Sequence, residues 1–191
     1  MAFKIAILIS GNGSNMLNII KAKNKGIIKS KIVAVVSDNP KSQGINKAIQ
    51  RGIKTKIIDY KSFGEKRLFE NKLSDFLENK KVNLICLAGF MRILSKEFVD
   101  KWRKKIINIH PSLLPAFKGL QTHKKAIETK VRYSGCTIHF VNDGLDSGEI
   151  IDQEIVKIDE NENEISLKKK ILMKEHKLYI RVLINMEKND D

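Results

Sequence analysis

Residues 3–109 alternate short, almost uninterrupted apolar runs with longer stretches of helical periodicity, and few architectures accept that pattern. The runs fall at 3–9, 31–36, 56–58, 82–88 and 106–109. Between them, 14–25, 42–51, 63–78 and 95–104 carry apolar residues at the spacing of one helix face. A strand without a polar side must be covered on both faces, and the helices of crossover connections provide that cover. The alternation therefore predicts an α/β fold, a doubly wound, mostly parallel sheet of the Rossmann-like kind. In the helix at 63–78, Leu68, Phe69, Leu73, Phe76 and Leu77 are expected on the buried stripe. Gly26 and Gly52 stop the first two helices, and Asp38-Asn39-Pro40 reads as a turn.

After Pro111 the pattern changes. Segments 137–141 and 150–158 predict antiparallel or edge strands added in the C-terminal part. An acidic loop follows at 159–164, then a closing helix at 166–186 and a frayed tail at 187–191. At 191 residues the chain fits one domain with a substantial core. Cys86 and Cys136 stand far apart, which excludes a disulfide scaffold and a CxxC metal site and suits a reducing, cytoplasmic setting. No apolar run is long enough to span a bilayer, so no membrane association is expected. The N-terminal run leads into Gly-Asn-Gly-Ser rather than a small-residue cleavage site, so it reads as a strand and not a signal peptide.

The formal net charge is +14. Such a balance suits nucleic acid or an anionic surface. However, 30 Lys against 6 Arg, with 28 Ile and 15 Asn, is what an A/T-rich genome would encode. The lysines are spread along most of the chain without a basic tail or interleaved aromatics, so no nucleic-acid partner is expected. Residues 1–142 are net +19 and residues 143–191 net −5. A basic N-terminal part is also compatible with a small anionic substrate.

Three segments carry chemistry. Ser10-Gly-Asn-Gly-Ser-Asn15 joins the first strand to the first helix, where glycines and free helix N–H groups make a phosphate seat. Met16 replaces the third glycine of a dinucleotide fingerprint and no Gly-Lys-Ser/Thr follows, so a monophosphate fits best; a plain strand-to-helix turn is the alternative. Asn108 and His110 alternate onto one side of a strand at the sheet's carboxyl end, where ligands bind. An amide beside an imidazole there can stabilise an oxyanion, and the prolines of His110-Pro-Ser-Leu-Leu-Pro115 stiffen the loop that follows. Asn142-Asp-Gly-Leu-Asp-Ser-Gly148 is a tight loop whose Asp146 is either a solvated carboxylate or the partner of His110. The spacing leaves both open. His123, His139 and His176 form no metal-ligand set, and no Gly-x-Ser-x-Gly elbow is present.

Together, Ser10–Asn15, Ala88-Gly-Phe-Met-Arg-Ile-Leu94, Ile107-Asn-Ile-His-Pro-Ser-Leu-Leu-Pro115, Gly119–His123 and Leu145-Asp-Ser-Gly148 resemble the folate-dependent formyltransferases. Within them the resemblance is to the phosphoribosylglycinamide formyltransferases, over nearly the whole chain. It implies a single formyltransferase domain over 1–191, with a phosphate-binding half at 1–100 and a catalytic, folate-binding half at 101–191. It implies formyl transfer from 10-formyltetrahydrofolate to the amine of 5-phosphoribosylglycinamide in purine biosynthesis, without a metal, by a monomer or homodimer. Asn108, His110 and Asp146 would be catalytic. Gly13, Ser14, Asn15 and Glu175 would hold the ribonucleotide, although Glu175 by itself reads as an exposed helix charge. Lys66, Met91, Arg92, Ile93, Leu94, Asn142, Asp143, Gly144 and Leu145 would bind the folate. Lys66-Arg67 stands where relatives usually carry one Arg, and Gln121 where a His is common. A methionyl-tRNA formyltransferase would add a basic C-terminal domain and a formyltetrahydrofolate deformylase an N-terminal one. The acidic C-terminal part and a first strand at residue 3 disfavour both.

Overall fold

A computed structural model describes residues 2–188 of the chain. Seven strands form one sheet in the order β3-β2-β1-β4-β5-β6-β7. They are β1 (Lys4–Ile9), β2 (Lys31–Ser37), β3 (Thr55–Ile57), β4 (Leu84–Leu87), β5 (Ile106–His110), β6 (Tyr133–Phe140) and β7 (Ile150–Lys157). The first five are mutually parallel, and β6 and β7 are antiparallel additions. The helices are α1 (Ser14–Asn24), α2 (Gln43–Ile49), α3 (Lys66–Asn79), α4 (Lys96–Lys101), α5 (Thr122–Glu128) and α6 (Glu164–Lys188). A 3-10 turn occupies Tyr60–Ser62. The sheet runs unbroken through both expected halves of the domain.

The apolar run of β1 after Lys4 explains the layering. Ile5, Ile7 and Ile9 pack into one buried cluster with α1 and the α6 residues Leu167, Ile171, Leu178 and Tyr179. Ala6 and Leu8, alternating with them, join a second cluster with Phe69, Leu73 and Leu77 of α3 and Phe98 and Trp102. Each face of the strand thus meets its own layer of helices. The chain runs outward from β1 to β3, then returns through α3 to β4 on the other side of β1. The gap between β1 and β4 is therefore a topological switch point, whose carboxyl edge favours ligand binding.

Several expectations need correction. Leu68 is 49% exposed, because the buried stripe of α3 follows Phe69, Leu73 and Leu77 at four-residue steps and Leu68 falls on its flank. α5 has no counterpart in the sequence reading, and β6 starts at Tyr133, four residues earlier than expected. Asp38, in the expected turn, is only 2% exposed. Glu187 belongs to α6 and not to a frayed tail: its carboxylate accepts the Lys29 and Ser30 N–H groups at 2.9 and 2.7 Å and the Ser30 hydroxyl. The rest of the expected tail, 189–191, lies outside the described residues.

Candidate active site

The loops leaving β1, β4 and β5 lie at the carboxyl edge of the parallel strands, and the loop after β6, which leaves beside the start of β5, folds back to reach His110. After β1, Gly13 takes the left-handed conformation, φ 70°, at the N-cap of α1. A Cβ there would stand 2.6 Å from Met16 Cε, which would have to swing aside, and the left-handed backbone itself favours glycine. α1 has no side-chain cap and no acidic residue in its first turn. Its first N–H groups and the helix dipole face outward beside exposed Ser14. Asn15 turns inward, donating from Nδ2 to Glu175 Oε2 at 2.7 Å. Asn15 Oδ1 is buried without a hydrogen-bond partner. Glu175 is 8% exposed, not an exposed helix charge, and burial pushes its carboxyl up, against the lowering effect of Asn15.

The loop after β4 lies against this one. Ser10 N–H donates to Gly89 O at 3.0 Å, and Met91 N–H donates to Ser10 Oγ at 2.8 Å. Side chains of 91–94 alternate. Met91 and Ile93 are 63% and 68% exposed, whereas Leu94 is 6% exposed in the α3 core cluster. Leu94 therefore lines the core and offers the cleft only its backbone. Arg92 points away from the opening, to Asp38 and the Tyr60 ring. Lys66, the first residue of α3, stands 3.9 Å from Glu70, and Arg67 beside it is exposed.

The strand β5 and the loop after β6 bring the expected catalytic trio together. His110 Nδ1 is 3.3 Å from Asp146 Oδ2, which also accepts the Gly119 N–H at 2.8 Å. His110 Nε2 lies 2.9 Å from Phe117 O. Both ring nitrogens thus face acceptors, an arrangement that an imidazole protonated on both satisfies. Asp146 reaches this position from a left-handed backbone, φ 44°, which Asp tolerates better than most residues. The loop closes tightly: a Cβ on Gly148 would lie 1.7 Å from Phe140 O. Asn142 Oδ1 braces it by accepting from Gly144 N–H and Ser147 Oγ. Asn142, Asp143, Gly144 and Leu145 form its exposed rim.

One residue of the cluster was missed. His139 lies opposite Asn108 in the β5–β6 register, and its Nε2 is 3.3 Å from Asn108 Nδ2 and 3.7 Å from Asp146 Oδ1. Its Nδ1 donates to Phe140 O at 2.9 Å, leaving Nε2 to accept from the Asn108 amide. Burial holds the ring below the usual imidazole range, opposed by the Phe140 carbonyl and Asp146. The only available signal was strand alternation, which places His139 and Thr137 on one side. Gln121 adopts φ 60° at the N-cap of α5, without a side-chain cap. Leu120 and Leu145, 75% and 54% exposed, are apolar side chains left at the surface of their loops, as are Met91 and Ile93 of theirs. Among the described residues no group of three or more His, Cys, Asp or Glu is placed to hold a metal ion, and no helix is long and apolar enough to cross a membrane.

Residues 3–183 match the formyl transferase family. A trifunctional purine biosynthetic protein adenosine-3 of Gallus gallus is 45% identical over 176 residues, covering 92% of this chain but 18% of the relative. The chain thus spans less than a fifth of that protein. The phosphoribosylglycinamide formyltransferase of Escherichia coli is 37% identical over 179 residues, covering 94% of this chain and 84% of that one. The crystal structure of glycinamide ribonucleotide transformylase 1 from Symbiobacterium toebii superposes with a TM-score of 0.95 at 34% identity, covering 98% of this chain and 89% of that one.

Proposed function

The chain belongs to the formyl transferase family, and from that premise we propose that it transfers a formyl group from 10-formyltetrahydrofolate to the amine of 5-phosphoribosylglycinamide. The observation that carries the reading is the contact of His110 on β5 with Asp146 from the loop after β6, in one cluster with Asn108 and His139. The α1 N-terminus suits the ribonucleotide's phosphate, and buried Asn15 and Glu175 offer polar partners for its ribose. The exposed apolar side chains Met91, Ile93, Leu120 and Leu145 suit a flat heteroaromatic donor, with the backbone of 91–94 and the 142–145 loop as its walls.

The chemistry follows from charge. Attack of a neutral amine on the formyl carbon builds negative charge on the formyl oxygen. Asn108 uses one amide hydrogen on His139, which fixes the carboxamide orientation and leaves the other hydrogen for that oxygen. A protonated His110, held by Asp146, adds positive charge close by. A preorganised donor of this kind contributes about 3–4 kcal/mol in comparable sites. As the intermediate collapses, the bond between the formyl carbon and the folate nitrogen breaks; Asp146 is the nearby base for the proton that the amine loses, and protonated His110 the nearby source of the proton that the departing nitrogen takes up. Neither a covalent enzyme intermediate nor a metal is required by this scheme.

The test is an absorbance assay of the folate product with and without the ribonucleotide. Product formed only with the ribonucleotide supports the proposal. Product formed without an acceptor identifies a deformylase, and formylation of methionyl-tRNA alone identifies the tRNA enzyme.

A further inference from the structure

The wall formed by residues 91–95 has no regular secondary structure, yet three side chains hold it. Its ends are tied through the backbone, Met91 N–H to Ser10 Oγ at 2.8 Å and Ser95 N–H to Glu70 Oε1 at 2.7 Å. Its middle is tied through Arg92, whose Nε donates to Asp38 Oδ2 at 2.5 Å. The Asp38 side chain is wholly buried, and its Oδ1 has no other partner. The guanidinium also lies over the Tyr60 ring, 4.2 Å from its centre. Asp38 positions that ring as well, since its carbonyl accepts the Tyr60 N–H at 3.0 Å. Tyr60 is backed in turn by Phe69, edge-on at 5.1 Å. Both walls of the slot that receives Arg92 therefore depend on Asp38.

We propose that Asp38 and Arg92 are positioning residues which set the height of Met91 and Ile93 at the folate cleft, and that Arg92 is not a ligand for the folate. The inference rests on reading this cleft as the folate site. Alternation along an extended segment carries the argument: with Arg92 drawn inward by a buried charge, its neighbours Met91 and Ile93 must face outward. The ion pair also neutralises Arg92, so the folate carboxylates must find their cations elsewhere. Burial makes the pair sensitive to loss of either partner, because the remaining charge is left uncompensated.

The experiment uses the full chain with Asp38→Asn and Arg92→Met, singly and together. Each single variant should raise KM for 10-formyltetrahydrofolate about tenfold, and the double variant no further, because the two act as one unit. KM for the ribonucleotide and kcat should stay within about twofold. Arg92→Lys, which keeps the charge, should restore part of the loss. Amide hydrogen exchange in the free protein reads the strap without any turnover: exchange across 91–95 should speed up in both variants, with β1 unchanged. A silent Asp38→Asn beside a damaging Arg92→Met would place Arg92 on the folate and overturn the proposal. So would additive effects, faster exchange spreading into β1, or a loosened loop with unchanged folate KM. Absence of formyl transfer by the wild type would refute the functional reading instead, and the exchange data would still decide whether the strap exists.

Discussion

Replacing Asp146 with Asn removes a charge and almost no volume, and the structure indicates what that should cost. Oδ2 faces the Gly119 N–H at 2.8 Å and His110 Nδ1 at 3.3 Å, while Oδ1 faces His139 Nε2 at 3.7 Å. The amide oxygen of Asn can keep the Gly119 contact, so the loop should hold its place. Its NH2 group must then face His139 Nε2 and compete with Asn108 for that lone pair. His110 meanwhile loses its anionic partner. A hydrogen bond to a charged group is worth about 1.5–3 kcal/mol, which corresponds to a fall in kcat of roughly 10- to 150-fold. Both KM values and the melting temperature should move little. His110→Asn should be similarly damaging, and the double variant far from additive. The assay is steady-state formation of the folate product with each substrate varied in turn. If Asp146→Asn keeps more than about a third of wild-type kcat, a loss under ~1 kcal/mol, the charge does not act through His110 and the carboxylate merely closes the loop.

Gly13→Val places a branched side chain at φ 70°, with a Cβ 2.6 Å from Met16 Cε. The left-handed backbone alone costs about 1–2 kcal/mol for a residue with a side chain. KM for the ribonucleotide should rise sharply while that for the folate stays level, and an unchanged ribonucleotide KM would remove this loop from the site. Burial holds His123, His139 and His176 below the usual imidazole range. The unfolded chain therefore takes up more protons than the folded one as pH falls through about 6.5, and stability present at neutral pH is lost below it. Calorimetry should find the melting temperature falling between pH 7 and 5.5, less steeply in His176→Gln; a flat profile would contradict this. Glu187→Ala leaves the Lys29 and Ser30 N–H groups without their acceptor, which should cost about 1–3 kcal/mol and several degrees of melting temperature at unchanged kcat. No loss of stability would mean that α6 does not clamp this loop.

The fold was legible because its constraints are local and repetitive. A strand such as β1, apolar at every position after Lys4, admits little except a sheet covered on both faces. What escaped was short or polar. α5 spans Thr122–Glu128 with only Thr122 and Ala126 buried, so its apolar periodicity is nearly absent. It forms because residues 111–121 deliver it against α6, a tertiary cause that periodicity does not record. Leu68 illustrates a related error: adjacent apolar residues in a helix lie about 100° apart, and the chosen stripe was too wide by one position.

The site was legible in part for a different reason. Asn108 and His110 share a strand, so alternation was enough to pair them, but Asp146 and His139 join them only through the β5–β6 register and the closing loop. Buried acids were the harder problem. Three of the buried acids are Asp38, Glu70 and Glu175, at 2%, 5% and 8% exposure. Each accepts from a segment at the carboxyl edge: Glu175 from Asn15 in the first turn of α1, Asp38 from Arg92, and Glu70 from the Ser95 backbone. A carboxylate gains little from burial unless its donors are already in place, so these contacts fix their loops as much as the loops satisfy the acids. In a chain with 22 acidic residues, neither composition nor spacing separates these from acids on a solvated helix face. Each partner is brought in by the packing of elements far away in sequence, Glu175 meeting Asn15 across 160 positions. The pair Asn108 and His110 can thus be read from strand alternation, whereas the charges that hold the neighbouring segments can be read only from the assembled fold.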